Sequence, residues 1–176
     1  IYFLYAIFGI KFTIMNKGVE TRIIIGKILK KIRETSINLD LCFEKNTENY
    51  KLSETDRGFI YNVTITTIRN ANTIEQILEN FTNKINKKEI YYFLIISALC
   101  QIFYLNLKGY AVINSTCESL KKLNSRKSIS FVNGLLRNIE RNKKNINLNT
   151  LKKSKHPIWF KNNIKNLSSN KRKAIY

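Results

Sequence analysis

Apolar residues recur along most of this chain at intervals of three and four positions, the spacing that places side chains on one face of an α-helix. In Thr21–Glu34, for example, Ile25, Ile28 and Ile32 fall on one face, whereas Lys27 points the other way. The chain has only one proline and six glycines, so few residues would break a helix. No Asn-Gly or Asp-Gly pair lies between alternating runs, as it would in a β-hairpin. The sequence therefore predicts an all-α fold.

Several helix starts are marked by side chains that can accept hydrogen bonds from the free N–H groups of a first turn. Ser53–Asp56 and Thr73–Gln76 have the spacing of a capping box, and Asn86–Glu89 precedes another apolar run. The β-branched residues at 63–68 would also suit a strand, but the cap before them favours a helix. The predicted helices are Thr21–Glu34, Leu39–Lys45, Glu54–Arg69, Ile74–Thr82, Ile90–Leu107, Tyr110–Leu123 and Ser128–Arg141.

The predicted helix Ile90–Leu107 is the most apolar part of the chain, so a membrane span has to be considered. Ser97, Gln101 and Asn106 interrupt the apolar run, and no second span follows it. A helix that is apolar on nearly all sides also suits the centre of a bundle. We therefore expect buried core and no membrane contact, with a membrane-attached helical protein as the alternative.

The charge of the chain is strongly positive, with 31 lysines and arginines, 12 acidic residues and a formal net charge of +19. Such a chain repels itself and attracts polyanions. The candidate partners are nucleic acid, an anionic membrane surface or an acidic protein. Ile, Lys and Asn recur throughout, as they would in an AT-rich genome, and this bias alone could account for part of the lysine excess.

The cysteines and the single histidine do not form a recognisable metal or redox motif. Cys42, Cys100 and Cys117 are widely spaced, and each lies in an apolar run, which predicts buried thiols in a reducing compartment. His156 has no cysteine or histidine near it. We therefore expect no metal, no cofactor and a cytoplasmic location.

Composition divides the chain into three parts. Residues 1–19 precede the first predicted helix and contain the only methionine, Met15, so we expect them to be an upstream, disordered or additional amino-terminal segment. Residues 20–142 hold the predicted helices. Residues 143–176 contain no acidic residue and many lysines. We expect them to form a basic extension with a short helix starting near Pro157.

Four stretches, in this order, resemble the NusB family of helical RNA-binding domains. Each motif is weak alone, but four in register are fairly specific, and they span about residues 20–142. The resemblance implies a bundle of about seven helices that binds RNA. The stretches are Thr21-Arg22 leading into Ile28-Leu29, Leu52–Arg57 with Arg69, Ala98–Ile102 followed by Tyr110–Asn114, and Phe131–Arg137.

The family has two main branches, and two features here are similar to one of them. That branch is the amino-terminal domain of the 16S rRNA cytosine-C5 methyltransferase, which joins a catalytic domain that uses S-adenosylmethionine. The features are Arg137 after a Leu-Leu pair and the segment 156–160, which resembles a Pro-x-Trp-Leu linker. The other branch is a stand-alone transcription antitermination factor that binds RNA with a ribosomal protein.

The chain shows no glycine-rich cofactor loop after a strand, so we expect it to be non-catalytic. Cys117 follows Thr116, as the methyltransferase nucleophile follows a threonine. However, Cys117 lies in an apolar helical stripe, which predicts that it is a buried core residue. A truncated methyltransferase remains an alternative.

Candidate site residues come from the charge pattern and the resemblance together. Cations on or beside the first helix predict phosphate contacts, and polar residues of the shared motifs predict structural roles. The expected RNA-binding residues are Lys17, Arg22, Lys27, Lys30, Lys31, Arg33, Arg137 and Lys161. The expected structural residues are Ser53, Asp56, Arg57, Gln101, Asn114 and Asn133.

Overall fold

A computed structural model describes residues 2–35, 37–148 and 151, with side chains from residue 18 onward. Within these residues the chain forms seven α-helices, one 3₁₀-helix and no strand, which confirms the all-α prediction. The helices are α1 (Tyr2–Thr35), α2 (Leu39–Thr47), α3 (Glu54–Arg69), α4 (Ala71–Glu79), α5 (Ile90–Phe103), α6 (Gly109–Lys122) and α7 (Arg126–Arg141), and the 3₁₀-helix is Lys143–Asn145.

Helix α5 is the centre of the bundle. Every residue from Tyr92 to Phe103 is buried, and the helix packs against α1, α3, α4, α6 and α7. The helix ends four residues before the predicted Leu107, because the chain turns at Asn106, whose φ of 51° is left-handed. Among the described residues, no helix has the length and apolarity that a bilayer crossing requires.

The capping box predicted at the start of α3 is present. The Ser53 hydroxyl accepts a hydrogen bond from the Asp56 backbone N–H at 3.1 Å, and an Asp56 carboxylate oxygen accepts from the Ser53 N–H at 3.4 Å. Two N–H groups that the helix itself cannot satisfy are therefore paired. This prediction is confirmed, and the β-branched stretch that follows is helical.

Two other predicted helix starts, those of α4 and α1, are wrong, whereas α5 begins at Ile90 as predicted. Helix α4 begins at Ala71 rather than Ile74, because Asn70 ends α3 and precedes α4 directly, so that Thr73 lies buried inside the helix. Asn86 accepts a hydrogen bond from the Lys88 N–H in a turn before α5, and Glu89 stands before the helix without a side-chain cap. Helix α1 also begins well before Thr21, at Tyr2.

Gly26 lets α1 approach α5 closely. A Cβ added at Gly26 would lie 3.0 Å from Cδ2 of Leu94 and 3.5 Å from Cδ1 of Ile90. Leu94 is almost fully buried, so it has little room to move away. By contrast, a Cβ added at the exposed Gly134 of α7 would meet no heavy atom within 4 Å.

We expect Gly26→Val to lower the free energy of unfolding by about 1–3 kcal/mol, because the added methyl groups overpack the contact between α1 and α5. Gly134→Val is the matched control. It should change stability by less than about 0.5 kcal/mol, because valine and glycine differ little in helix propensity at an exposed position. Urea unfolding of both variants measures the difference, and equal losses would contradict the close-packing argument.

Ser53→Ala should cost about 1 kcal/mol of folding stability, since it removes the side-chain cap of α3. Ser125→Ala is a suitable control, because Ser125 also precedes a helix but makes no side-chain cap hydrogen bond. Thermal and urea unfolding compare the two. A loss at Ser125 as large as that at Ser53 would show that the capping hydrogen bond is not the cause.

Candidate nucleic-acid interface

The lysines of α1 lie at the surface beside α2. Lys27 and Lys31 are exposed, and the Lys27 ammonium donates to the Tyr50 hydroxyl at 3.4 Å. Lys31 and Lys45 both oppose the rise in the Cys42 thiol pKa that burial causes, so both charges act on the same part of the molecule. We call Lys27, Lys30, Lys31 and Lys45 the amino-end surface.

Arg22 does not lie on this exposed face, so the prediction of its position is wrong. Its Nη1 donates to the Gly18 carbonyl at 2.7 Å, and its guanidinium lies over the Phe59 ring at 5.6 Å from the centroid. Burial lowers the pKa of Arg22 to about 10. The long apolar stem and planar head allow an arginine to pack against an aromatic ring in this way.

Arg33 is likewise turned towards the bundle, contrary to the prediction. Its Nη1 lies 3.5 Å from Oε1 of Glu75, and its guanidinium covers the Tyr92 ring at 5.1 Å. Glu75 also accepts from the Tyr92 hydroxyl and from the Lys87 ammonium. Glu75 is 14% exposed and Arg33 is 23% exposed. The arginine therefore neutralises a mostly buried carboxylate on α4, and its own side chain is only partly exposed.

The outer face of α7 carries a row of cations that the sequence analysis mostly missed. Arg126, Lys127, Arg137 and Arg141 are exposed and share this face, with Gly134 in the middle of the row. Only Arg137 was predicted, on a motif position. The signal that could have identified the others was helical spacing, since position 126 lies about three turns before 137, position 127 about four turns before 141, and position 141 one turn after 137.

Helix α6 adds cations to the same part of the molecule. Arg137 and Lys121 both act electrostatically on the Cys117 thiol, whose pKa is raised chiefly by burial. Lys121 also pairs with Glu118 at 2.6 Å. We call the set on these two helices the α6–α7 basic surface; its members are Lys121, Lys122, Arg126, Lys127, Arg137 and Arg141.

An exposed aromatic ring lies in the first half of α7. Phe131 is 38% exposed and meets the Tyr91 ring edge to face, with 6.3 Å between centroids. Aromatic rings beside cations can stack on unpaired bases while the cations contact phosphates. Phe131 was noted in the sequence only as part of a family motif.

The two basic surfaces differ in their acidic content. Residues 109–145, from α6 to the 3₁₀-helix, hold eight lysines and arginines and only two glutamates. Residues 18–47, in α1 and α2, hold six cations and four acidic residues. The stronger positive potential is therefore expected at the α6–α7 basic surface, and the amino-end surface is the weaker of the two.

The predicted structural residues hold the bundle together in different ways. Arg57 pairs through one guanidinium nitrogen with both carboxylate oxygens of Glu44, at 2.9 and 3.0 Å, and so joins α2 to α3. Gln101 is fully buried, and its amide donates to the Ser97 carbonyl at 3.0 Å. Asn133 accepts a hydrogen bond from Arg137 on its own helix at 2.9 Å. Asn114 is exposed on α6.

The three cysteines are free and buried, as predicted, and burial raises the pKa of Cys100 to about 11. The described residues contain no cluster of histidine, cysteine and acidic side chains that could hold a metal ion. The Lys17 side chain, Lys161 and the predicted helix near Pro157 lie outside the described residues.

A comparison with protein families agrees with the helical bundle. No curated protein sequence matches the chain. Residues 19–141, which include the carboxyl-terminal part of α1 and all of α2–α7, match the NusB family. Because this match covers well over half of the chain and coincides with the helical bundle, the chain belongs to the NusB family.

Proposed function

We propose that this chain binds structured RNA, mainly through phosphates, and that the α6–α7 basic surface makes most of the contacts. The NusB family consists of non-catalytic domains that bind RNA. The observation that carries the proposal is the row of exposed cations along α7, reinforced by α6. Cations arranged along one surface can follow a phosphate backbone without reading its sequence.

The amino-end surface is proposed as a second, weaker contact. Lys27 and Lys31 are exposed, but the Lys30 ammonium forms an ion pair with the Glu34 carboxylate at 3.8 Å. Arg22 and Arg33 are engaged with Phe59 and Glu75. They are therefore proposed to support the bundle rather than to bind RNA.

Within the family, we propose that residues 20–142 are the rRNA-binding domain of a cytoplasmic 16S rRNA cytosine-C5 methyltransferase, with residues 143–176 as a basic extension. Arg137 and the segment 156–160 favour this branch. Reading the coding sequence downstream of Tyr176 tests the proposal. A frame encoding a domain that binds S-adenosylmethionine would support it, and a stop codon directly after Tyr176 would argue against it.

The second candidate is a stand-alone antitermination factor, which the family match also allows. Such a factor should co-purify with a small ribosomal protein, and its affinity for RNA should rise when that protein is added. If the methyltransferase frame is present, neither effect is expected.

RNA binding should weaken steeply with salt. If the six cations of the α6–α7 basic surface each neutralise a phosphate, the association constant should fall by about a thousandfold between about 50 and about 200 mM monovalent salt. Fluorescence anisotropy with a labelled 16S rRNA fragment measures this dependence. Absence of binding at the lowest salt concentration would contradict the proposed function.

Replacing two cations of α7 should reduce that salt dependence. The double variant Lys127→Gln with Arg141→Gln should lower the slope of log K against log salt by about two, because two phosphate contacts are lost. The matched control is Lys84→Gln with Lys88→Gln, which removes two exposed lysines outside both basic surfaces. A control as strongly affected as the α7 variant would show that only total charge matters.

Substitutions at Arg33 and Lys31 should distinguish an effect on folding stability from an effect on RNA binding. Arg33→Gln should lower the free energy of unfolding by about 1–2 kcal/mol, because Glu75 loses a charged partner and Tyr92 loses its cation–π contact. Lys31→Gln should leave stability nearly unchanged and weaken RNA binding slightly. Urea unfolding and anisotropy on both variants check this, and the reverse pattern would place Arg33 in the interface.

A further inference from the structure

An open cleft lies between the carboxyl-terminal ends of α4 and α7, next to the outer face of α7. The cleft has a volume of about 450 Å³. Its walls carry five asparagines, which come from the residue after α4, from α7 and from the segment that follows α7: Asn80, Asn138, Asn142, Asn145 and Asn147. No motif in the sequence analysis pointed to this place.

The asparagine side chains of the cleft are suited to the edge of a nucleobase. The Asn142 amide donates to the side-chain oxygen of Asn138 at 3.1 Å and to its carbonyl at 2.9 Å, so the two carboxamides are held side by side. Because the Asn142 NH2 group is engaged in these two bonds, the Asn138 NH2 group supplies donors and the side-chain oxygens supply acceptors. Bases present the complementary mixture of donors and acceptors along their edges.

The rest of the cleft suits the flat face of a base and the phosphate attached to it. Phe81 and Ile146 are partly buried and supply apolar surface. Arg141 and Lys144 are exposed and flank Asn142 in the chain, whereas Lys143 is turned inward and donates to the Ile102 carbonyl at 2.8 Å. None of the described residues that line the cleft is acidic.

We propose that this cleft binds an unpaired nucleobase of an RNA whose phosphates lie along the outer face of α7. The inference rests on the proposed RNA-binding function, and it names the part of the RNA that this end of the surface would recognise. Arg141 belongs to the α6–α7 basic surface and directly precedes Asn142, so one strand could contact both places. The uncharged carboxamides would select a base over a second phosphate.

The test compares an RNA hairpin that carries a short single-stranded extension with the same hairpin ending blunt. For the full chain, anisotropy titrations should show about tenfold tighter binding of the extended hairpin, because one base can stack on Phe81 and pair with the carboxamides. In the double variant Asn138→Ala with Asn145→Ala, this gain should disappear while binding of the blunt hairpin is unchanged. Asn62→Ala, an exposed helical asparagine on α3, is the matched control and should keep the full gain.

The outcomes separate this inference from the proposed function. Equal affinity of the full chain for the two hairpins would contradict base binding by the cleft, and so would a gain that survives in the double variant. Neither result would contradict RNA binding itself. Failure of both hairpins to bind at low salt would instead overturn the proposed function. Circular dichroism of each variant confirms that its helices are retained.

Discussion

A helix that is apolar on every side, as α5 is from Tyr92 to Phe103, can be kept from water only when other helices surround it. Five helices do so here, and each must turn its apolar stripe inward. The polar stripes of those helices are then forced outward. The outer face of α7 is one result of this constraint, because Val132, Leu136 and Ile139 fix which side of that helix faces α5.

Helical periodicity predicted which backbone face of α1 would be buried, but it could not predict where the ends of its long side chains would lie. Lys27 follows the expectation and is exposed, whereas Arg33 reaches Glu75 on α4. That partner lies more than forty positions along the chain. An arginine can leave its own face in this way because its stem is apolar and its head can stack on a ring. Contacts of this kind depend on which helices become neighbours, so a single helix pattern does not contain them.

Sequence signals were reliable where a structural feature depends only on residues that are close together in the chain. Ser53 and Asp56 form the predicted box, since capping needs only four consecutive residues. The same spacing at Thr73 failed because Asn70 already ends α3 and begins α4, so the box residues were drawn into the helix. The asparagine cleft could not be predicted at all. Asn80 and Asn145 are brought together by the packing of the helices that precede them, and neither residue is unusual in a chain so rich in asparagine.

The excess of cations has a cost for the folded chain, because like charges on a compact body repel one another. Residues 109–145 concentrate this repulsion, with two glutamates to offset eight lysines and arginines. Glu118 is already paired with Lys121, so little neutralisation is available from within these helices. A polyanion lying along α7 would relieve the repulsion in the folded state and would thereby stabilise the bundle as it binds. The arrangement that makes this surface unfavourable in isolation is the same one that makes it suited to RNA, since the unbalanced charge is held in a fixed row by the burial of the opposite face of the helix.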